Sequence, residues 1–247
     1  MHKFRLAVIL GMVLLSVAAG ASTVQITFNS GSTPSPSGGS WQVYPYGVTA
    51  SGVNTSMLCD DAGNALHATD SWTANVYNLG TALTNGTTLM FGSLGTTAVA
   101  QLYREAGWLY LQLGTNPTSA LATAINYAIW GLFANYNGTY SSWASGDKTI
   151  YTNGTTQSWV TAAAGHKNDT NSSFNNVYIY TPGSNTITSG VAGDIGKTPQ
   201  ELIGGPVPDP ASLALRGSGL AALGGYFRRK NRLASSDSSN QKESETL

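Results

Sequence analysis

Cys59 is the only cysteine of the 247-residue chain, and an ionised thiol is a strong nucleophile. As a hydrolase centre it would take His67 or His166 as its base, with Asn168 or Asp169 orienting the second of these imidazoles. The residues that follow argue against this, because Asp60 and Asp61 set two carboxylates beside the sulfur and disfavour a thiolate. One cysteine also excludes an intramolecular disulfide. In an oxidising compartment such a thiol is buried, joined to another molecule, or reactive. Asp60, Asp61 and Asp70 offer oxygen ligands, but the carboxylate and glycine alternation of a calcium loop is missing; neither a metal nor a cofactor is expected. The sequence carries no Gly-rich phosphate loop, HExxH helix or GxSxG elbow.

The aromatic residues are a second resource. Trp108 and Trp130 fall in helical patterns and are expected to pack, whereas Tyr136, Tyr140 and Trp143 follow in a polar Gly/Ser setting and are candidates for stacking on sugar rings. Formal charge sums to zero over the chain. Between residues 22 and 205 only Arg104, Lys148, Lys167 and Lys197 are basic, fewer than the aspartates and glutamates of the same span. That mildly acidic body has no electrostatic footprint for nucleic acid.

These residues need elements to position them. Val24, Ile26 and Phe28 alternate with polar neighbours over 23–28, the period of a half-buried strand. Further strands are predicted over 41–48, 57–59, 72–77 and 88–91. The period then changes: Val99, Leu102, Tyr103, Ala106, Leu109, Tyr110 and Leu113 recur every three or four residues, predicting a helix over 97–113 that ends at Gly114. A second helix is expected to start with Asn116 as cap and Pro117 at its first helical position, burying Leu121, Ala124, Ile125, Ala128, Ile129, Leu132 and Phe133. Beyond Asn135 the chain reads as loop, with a short helix at 157–164 and a strand at 175–180. The repeated Asn-Gly-Thr at Asn85, Asn137 and Asn153 predicts tight turns. The expected fold is α+β: a mainly antiparallel β domain with an inserted helical hairpin, flanked by an N-terminal signal helix and a C-terminal membrane helix.

Both ends read as address labels. Residues 1–21 have the form of a secretory signal peptide: Lys3 and Arg5, an apolar middle from Leu6 to Val17, then Ala19-Gly20-Ala21 for cleavage before Ser22. The expected globular ectodomain is 22–183, followed by a linker over 184–205. Residues 206–232 combine prolines 206, 208 and 210, an apolar segment over 211–227 and the basic residues Arg228, Arg229, Lys230 and Arg232; a polar tail, 233–247, follows. Seventeen helical residues would span about 25 Å, under the roughly 30 Å of a bilayer core, and the basic residues would stay on the cytoplasmic side. Val207-Pro208-Asp209-Pro210-Ala211 with the Gly/Ala/Leu segment and basic cluster resembles a PEP-CTERM sorting signal of Gram-negative exported proteins, with Asp209 where that family has Glu. The resemblance implies export across the inner membrane by signal peptidase, a membrane-anchored intermediate, and processing by an exosortase to the cell surface or extracellular space. It also implies an exopolysaccharide matrix or another surface ligand as partner.

Within the ectodomain, Leu58-Cys59 at a strand end and Ile125-Asn126-Tyr127-Ala128-Ile129-Trp130 on a later helix resemble the two motifs of bacterial thioester domains. That family joins the cysteine sulfur to a Gln side chain and captures amines on its targets. Asn126 stands at the Gln position, one methylene shorter. The sequence thus leads to the expectation of an exported, noncatalytic envelope or extracellular-matrix protein with an adhesive or structural role. Its alternatives are a covalent adhesin using Cys59 and Asn126, and a cysteine-dependent envelope hydrolase.

Overall fold

The computed structural model describes residues 22–30, 41–183 and 185–207. Ala19, Ala21, the sorting motif Pro208, Asp209 and Pro210, the segment 211–227, the basic residues 228–232 and the polar tail lie outside the described residues.

Six strands close into an antiparallel barrel: β1 (Ser22–Ser30), β2 (Tyr46–Ala50), β3 (Val53–Cys59), β4 (Ser71–Asn78), β7 (Tyr178–Thr181) and β8 (Leu202–Gly204). The order around the ring is β1-β2-β3-β8-β7-β4, with β4 returning to β1. Closure leaves no unpaired edge among these strands. On β1, Val24, Ile26 and Phe28 point into the barrel while Thr23 and Gln25 face solvent, as their alternation predicts.

The neighbouring strands β3, β8 and β7 are apolar on both faces. Cys59, Leu202 and Tyr180 belong to the barrel core, whereas Leu58, Ile203 and Ile179 belong to the core against the helices. Their register makes this consistent, since Cys59 pairs with Leu202 and Leu58 with Ile203. A slip of one residue would exchange the two cores.

The helices follow β4. They are α1 (Leu79–Asn85), α2 (Thr97–Gln112), α3 (Ser119–Asn137), α4 (Ser145–Thr152) and α5 (Gly154–Ala164), with a small hairpin of β5 (Thr88–Leu89) and β6 (Gly92–Ser93) between α1 and α2. From Ala122 to Ala134 every residue of α3 except Leu132 is buried. Ile125, Ile129 and Phe133 pack with α2, and Tyr127, Trp130 and Ala134 join the barrel core. A helix apolar nearly all round is what a central position demands.

Several expectations need correction. The stretch 184–205, expected as a linker, is part of the folded unit: Ile187 is buried, and Leu202–Gly204 fills the gap between β3 and β7. The second helix begins two residues after Pro117, because the Thr118 side chain accepts the Leu121 N–H at 3.2 Å and so caps it in place of Asn116. After Asn135 the short helix expected at 157–164 lies within α5, but a further helix, α4, stands where loop was expected. With only Ile150 and Tyr151 as large apolar residues, α4 is too short to display a period. The Asn-Gly-Thr repeats are helix boundaries rather than hairpin turns. Gly86 and Gly138 end α1 and α3 at φ of 62° and 80°, and Asn153 caps α5 by accepting from Thr156 N at 2.8 Å. The strands expected over 41–48 and 175–180 are shorter and shifted toward the C-terminus, at Tyr46–Ala50 and Tyr178–Thr181. The described residues are thus α+β, with a closed barrel and more helix than one inserted hairpin.

Gly131 lets α4 approach α3. A Cβ there would lie 1.9 Å from the Tyr151 ring, whose hydroxyl accepts from Asn135 Nδ2 at 2.9 Å. Gly131→Ala gains helix propensity of about 1 kcal/mol but overpacks a buried ring. The expected net loss is about 1–3 kcal/mol, read as a fall of several degrees in Tm by calorimetry; an unchanged or higher Tm would contradict the packing described.

Candidate functional site

Cys59 ends β3 and is fully buried. Its Sγ donates to the Asp61 carbonyl at 2.7 Å, and its own carbonyl accepts from Trp130 Nε1 at 2.8 Å. Trp130 and Asn126 lie one turn apart on the same face of α3. The amide oxygen of Asn126 accepts from the backbone N–H of Tyr44, while its Nδ2 is buried without a hydrogen-bond partner among the described residues. The two short motifs that sequence reasoning linked therefore meet: the strand end and the helix are joined through Trp130. Burial pushes the Cys59 thiol well above its ordinary range, and Asp61 and Asp60 push it further. It is a neutral thiol at physiological pH.

The two aspartates after Cys59 have separate roles. The Asp61 carboxylate accepts from Gly63 N at 2.7 Å and from Asn64 Nδ2, bracing the loop 61–64. Asp60 is wholly buried and faces Glu201, which is also wholly buried. Glu201 accepts from Met90 N at 3.0 Å and from the Tyr103 hydroxyl. Neither Asp60 oxygen receives a well-formed N–H or O–H bond from the described residues. Burial first, and then the neighbouring Glu201 charge, hold the Asp60 carboxyl protonated well above the usual carboxylate range, so that it donates to Glu201. Sequence reasoning missed Glu201 and Tyr103. The available signal was a carboxylate set directly against Leu202-Ile203, an apolar pair in a stretch read as linker.

Both histidines are engaged away from the thiol. His67 Nδ1 pairs with Asp194 at 2.5 Å, and Lys197 Nζ reaches the other Asp194 oxygen at 2.9 Å. Asp70 accepts from His67 N at 2.8 Å and Val191 N at 3.1 Å. His67, Asp70 and Asp194 bring ligand atoms within 4.8 Å of one another, yet all four carboxylate oxygens already hold donors. The cluster is a clamp tying the loop 187–197 to the turn before β4. His166 pairs with Asp169 at 2.8 Å and stacks on Trp108 at 4.2 Å, while Asn168 accepts from Gln101. The Cys-His constellation of a hydrolase is therefore not assembled, and Asp70 is not grouped with Asp60 and Asp61 as a calcium site would need.

Beside the Cys59 strand end lies a cleft of about 390 Å³, lined by Phe28, Trp41, Tyr46, Trp130, His67 and Gln200 among others. A second cavity of about 330 Å³ shares Trp41, Ala62 and Gly63 with it and adds Trp143, Ser142 and Asp147. Of the three aromatic residues singled out for sugar stacking, only Trp143 lines either cavity. Tyr136 is exposed on α3, and Tyr140 packs against Trp143 and Tyr151.

The buried acid pair has a measurable signature. In the native state Asp60 keeps its proton to higher pH than in the unfolded chain, where it titrates near 3.9. Its contribution is thus fully present below that value and is lost as pH rises through the raised native value. Asp60→Asn removes the titration and supplies a permanent donor to Glu201. It is expected to flatten the fall of Tm above pH 4 and to raise Tm at pH 8 by roughly 2–4 °C, about 1 kcal/mol for a domain of this size. A wild-type Tm that climbs from pH 4 to pH 8 would contradict this assignment. Compared with known proteins, the chain matches no family model, no curated protein and no solved structure.

Proposed function

We propose that the protein is exported, sorted to the cell surface by an exosortase, and noncatalytic, with an adhesive or structural role in the envelope or extracellular matrix. The observation that carries this reading is a boundary: one compact unit of the chain ends at Val207, immediately before Pro208-Asp209-Pro210. A transpeptidase needs an accessible, extended backbone, and prolines at alternate positions disfavour the helix or ladder that would withhold it. A buried, protonated thiol and two histidines engaged elsewhere favour binding over catalysis. In a host that has an exosortase, tagged protein is expected shortened near Pro208–Pro210. The double substitution Pro208→Ala, Pro210→Ala should leave full-length protein in the inner membrane. Uncleaved wild type in that host would sink the sorting proposal.

A second reading, a covalent adhesin, is favoured by one detail. The Tyr44 N–H polarises the Asn126 carbonyl, while the amide nitrogen is buried without a partner among the described residues. An attack by Cys59 Sγ on Asn126 Cγ would form a C–S bond, break the C–N bond and expel the unpartnered nitrogen, with the thiol proton, as ammonia. A target amine would later displace the sulfur and form an amide. The expected mark is an intact mass lower by one ammonia, with a thiol released by methylamine. Full mass with a thiol titratable after denaturation would end this reading and leave the sorting proposal standing.

A further inference from the structure

We infer that the paired cavities at the barrel rim, divided by Trp41, form a binding cleft for an uncharged oligosaccharide. The rim assembles from the end of β1, the start of β2, the end of β3 and the residues before β8, which bring Phe28, Tyr46 and Gln200 to one mouth. Mouths of β-barrels are common ligand sites, and clefts of about 300–1,000 Å³ suit small molecules; the two cavities fall within that range at about 390 and 330 Å³. Trp41, Ala62 and Gly63 belong to both, so the cavities are neighbouring subsites along one wall.

The chemistry of the lining selects the ligand. A sugar ring has an apolar C–H face and a rim of hydroxyls, and it is matched by flat aromatic rings set among amides. Trp41 supplies the accessible ring, backed by the buried Trp130 and Tyr46 on the first side and by the buried Trp143 on the second; Gln42, Asn64 and Gln200 are amides of the first side, and Ser142 a hydroxyl of the second. Among the described residues no lysine or arginine lines either cavity, and Asp147 on the second side is a buried acid bonded by the Tyr127 hydroxyl at 2.7 Å. The basic group that does line the first cavity, His67, is already paired with Asp194, so a phosphate, sulfate or uronate would find no free lysine or arginine among the described residues there.

The cleft is also built before any ligand arrives. Trp41 is only partly buried, yet its ring is fixed edge-on to Trp130 at 5.4 Å and to Trp143 at 4.9 Å, and it stacks on Tyr127 at 5.9 Å. Asp61 braces Gly63 and Asn64, and Gln200 Nε2 donates to the Asn64 carbonyl. Rings and amides held in this way lose little freedom on binding.

This inference rests on the adhesive reading above and names what the adhesive site takes, but it does not depend on the sorting step. The test uses the full chain in a detergent without a sugar headgroup, titrated with dextran, laminarihexaose and cellohexaose. Calorimetry and tryptophan fluorescence report binding, and polygalacturonate serves as the acidic counterpart. At least one neutral glycan is expected to bind and to shift the emission. Trp41→Ala should weaken binding about tenfold or more, a loss of about 1.4 kcal/mol. Gln42 is exposed at the rim, so Gln42→Ala should weaken binding while leaving the fold intact, and it decides the matter if Trp41→Ala does not fold. Binding to none of the neutral glycans, to polygalacturonate alone, or equally by wild type and Gln42→Ala would overturn the inference. A chain that binds glycan but is never trimmed near Pro208–Pro210 keeps the cleft and loses the sorting.

Discussion

Closure of the barrel by Leu202–Gly204 is the constraint on which the rest of the structure depends. Without these three residues β3 and β7 would each present an open edge, and the two apolar cores would meet solvent along the same seam. The strand is short, so its position relies on what flanks it. Glu201 on one side accepts from Met90 and Tyr103, and on the other the Tyr180 hydroxyl donates to the Gly205 carbonyl at 2.6 Å. The same register that pairs Cys59 with Leu202 sets Gln200 at the rim and Glu201 beneath Asp60. Strand closure, acid pair and cleft are consequences of one alignment.

The acid pair shows how much this alignment is worth. Two buried carboxyls side by side are unfavourable when both are charged, and no buried cation compensates them among the described residues. A shared proton converts the repulsion into a hydrogen bond, which is stronger for being buried. Such a pair specifies a partner at each position: Glu201 needs Tyr103 from α2, Met90 from the β5–β6 hairpin and Asp60 from the end of β3. Helical and barrel layers are thereby locked to one another at a single point, where apolar packing alone would tolerate small slides.

Much of the fold was legible where the pattern was long. The period of two in 23–28 and the period of three and four in 97–113 each reported a single buried face, and both elements exist as read. What escaped was short or two-sided. Leu202-Ile203 has one residue for each core, so alternation has nothing polar to contrast with, and neighbouring glycines and prolines made it look like linker. The Asn-Gly pairs were read for the positive φ that glycine allows, and that reading holds at Gly86 and Gly138. Sequence alone could not tell a helix cap from a hairpin turn, because both need the same left-handed residue. At the site, Cys59, Asn126 and Trp130 were named from sequence because their spacing forms short motifs. Gln200 and Glu201 were not, since their meeting with the others depends on which strands become neighbours.

Trp130 connects these levels most directly. Its ring lines the cleft, while its Nε1–H holds the Cys59 carbonyl, the last acceptor of β3 before the loop 60–66 that forms the opposite wall. Turning the indole out toward solvent would leave that carbonyl buried and unpaired, a loss on the order of 1–3 kcal/mol. The ring is therefore fixed by a backbone bond on one side and by Trp41 and Tyr127 on the other. An aromatic surface fixed in this way can give its contact energy to a ligand without first paying to become ordered. The same bond keeps the Cys59 strand end against α3, so the shape of the cleft and the placement of the thiol are set by one side chain.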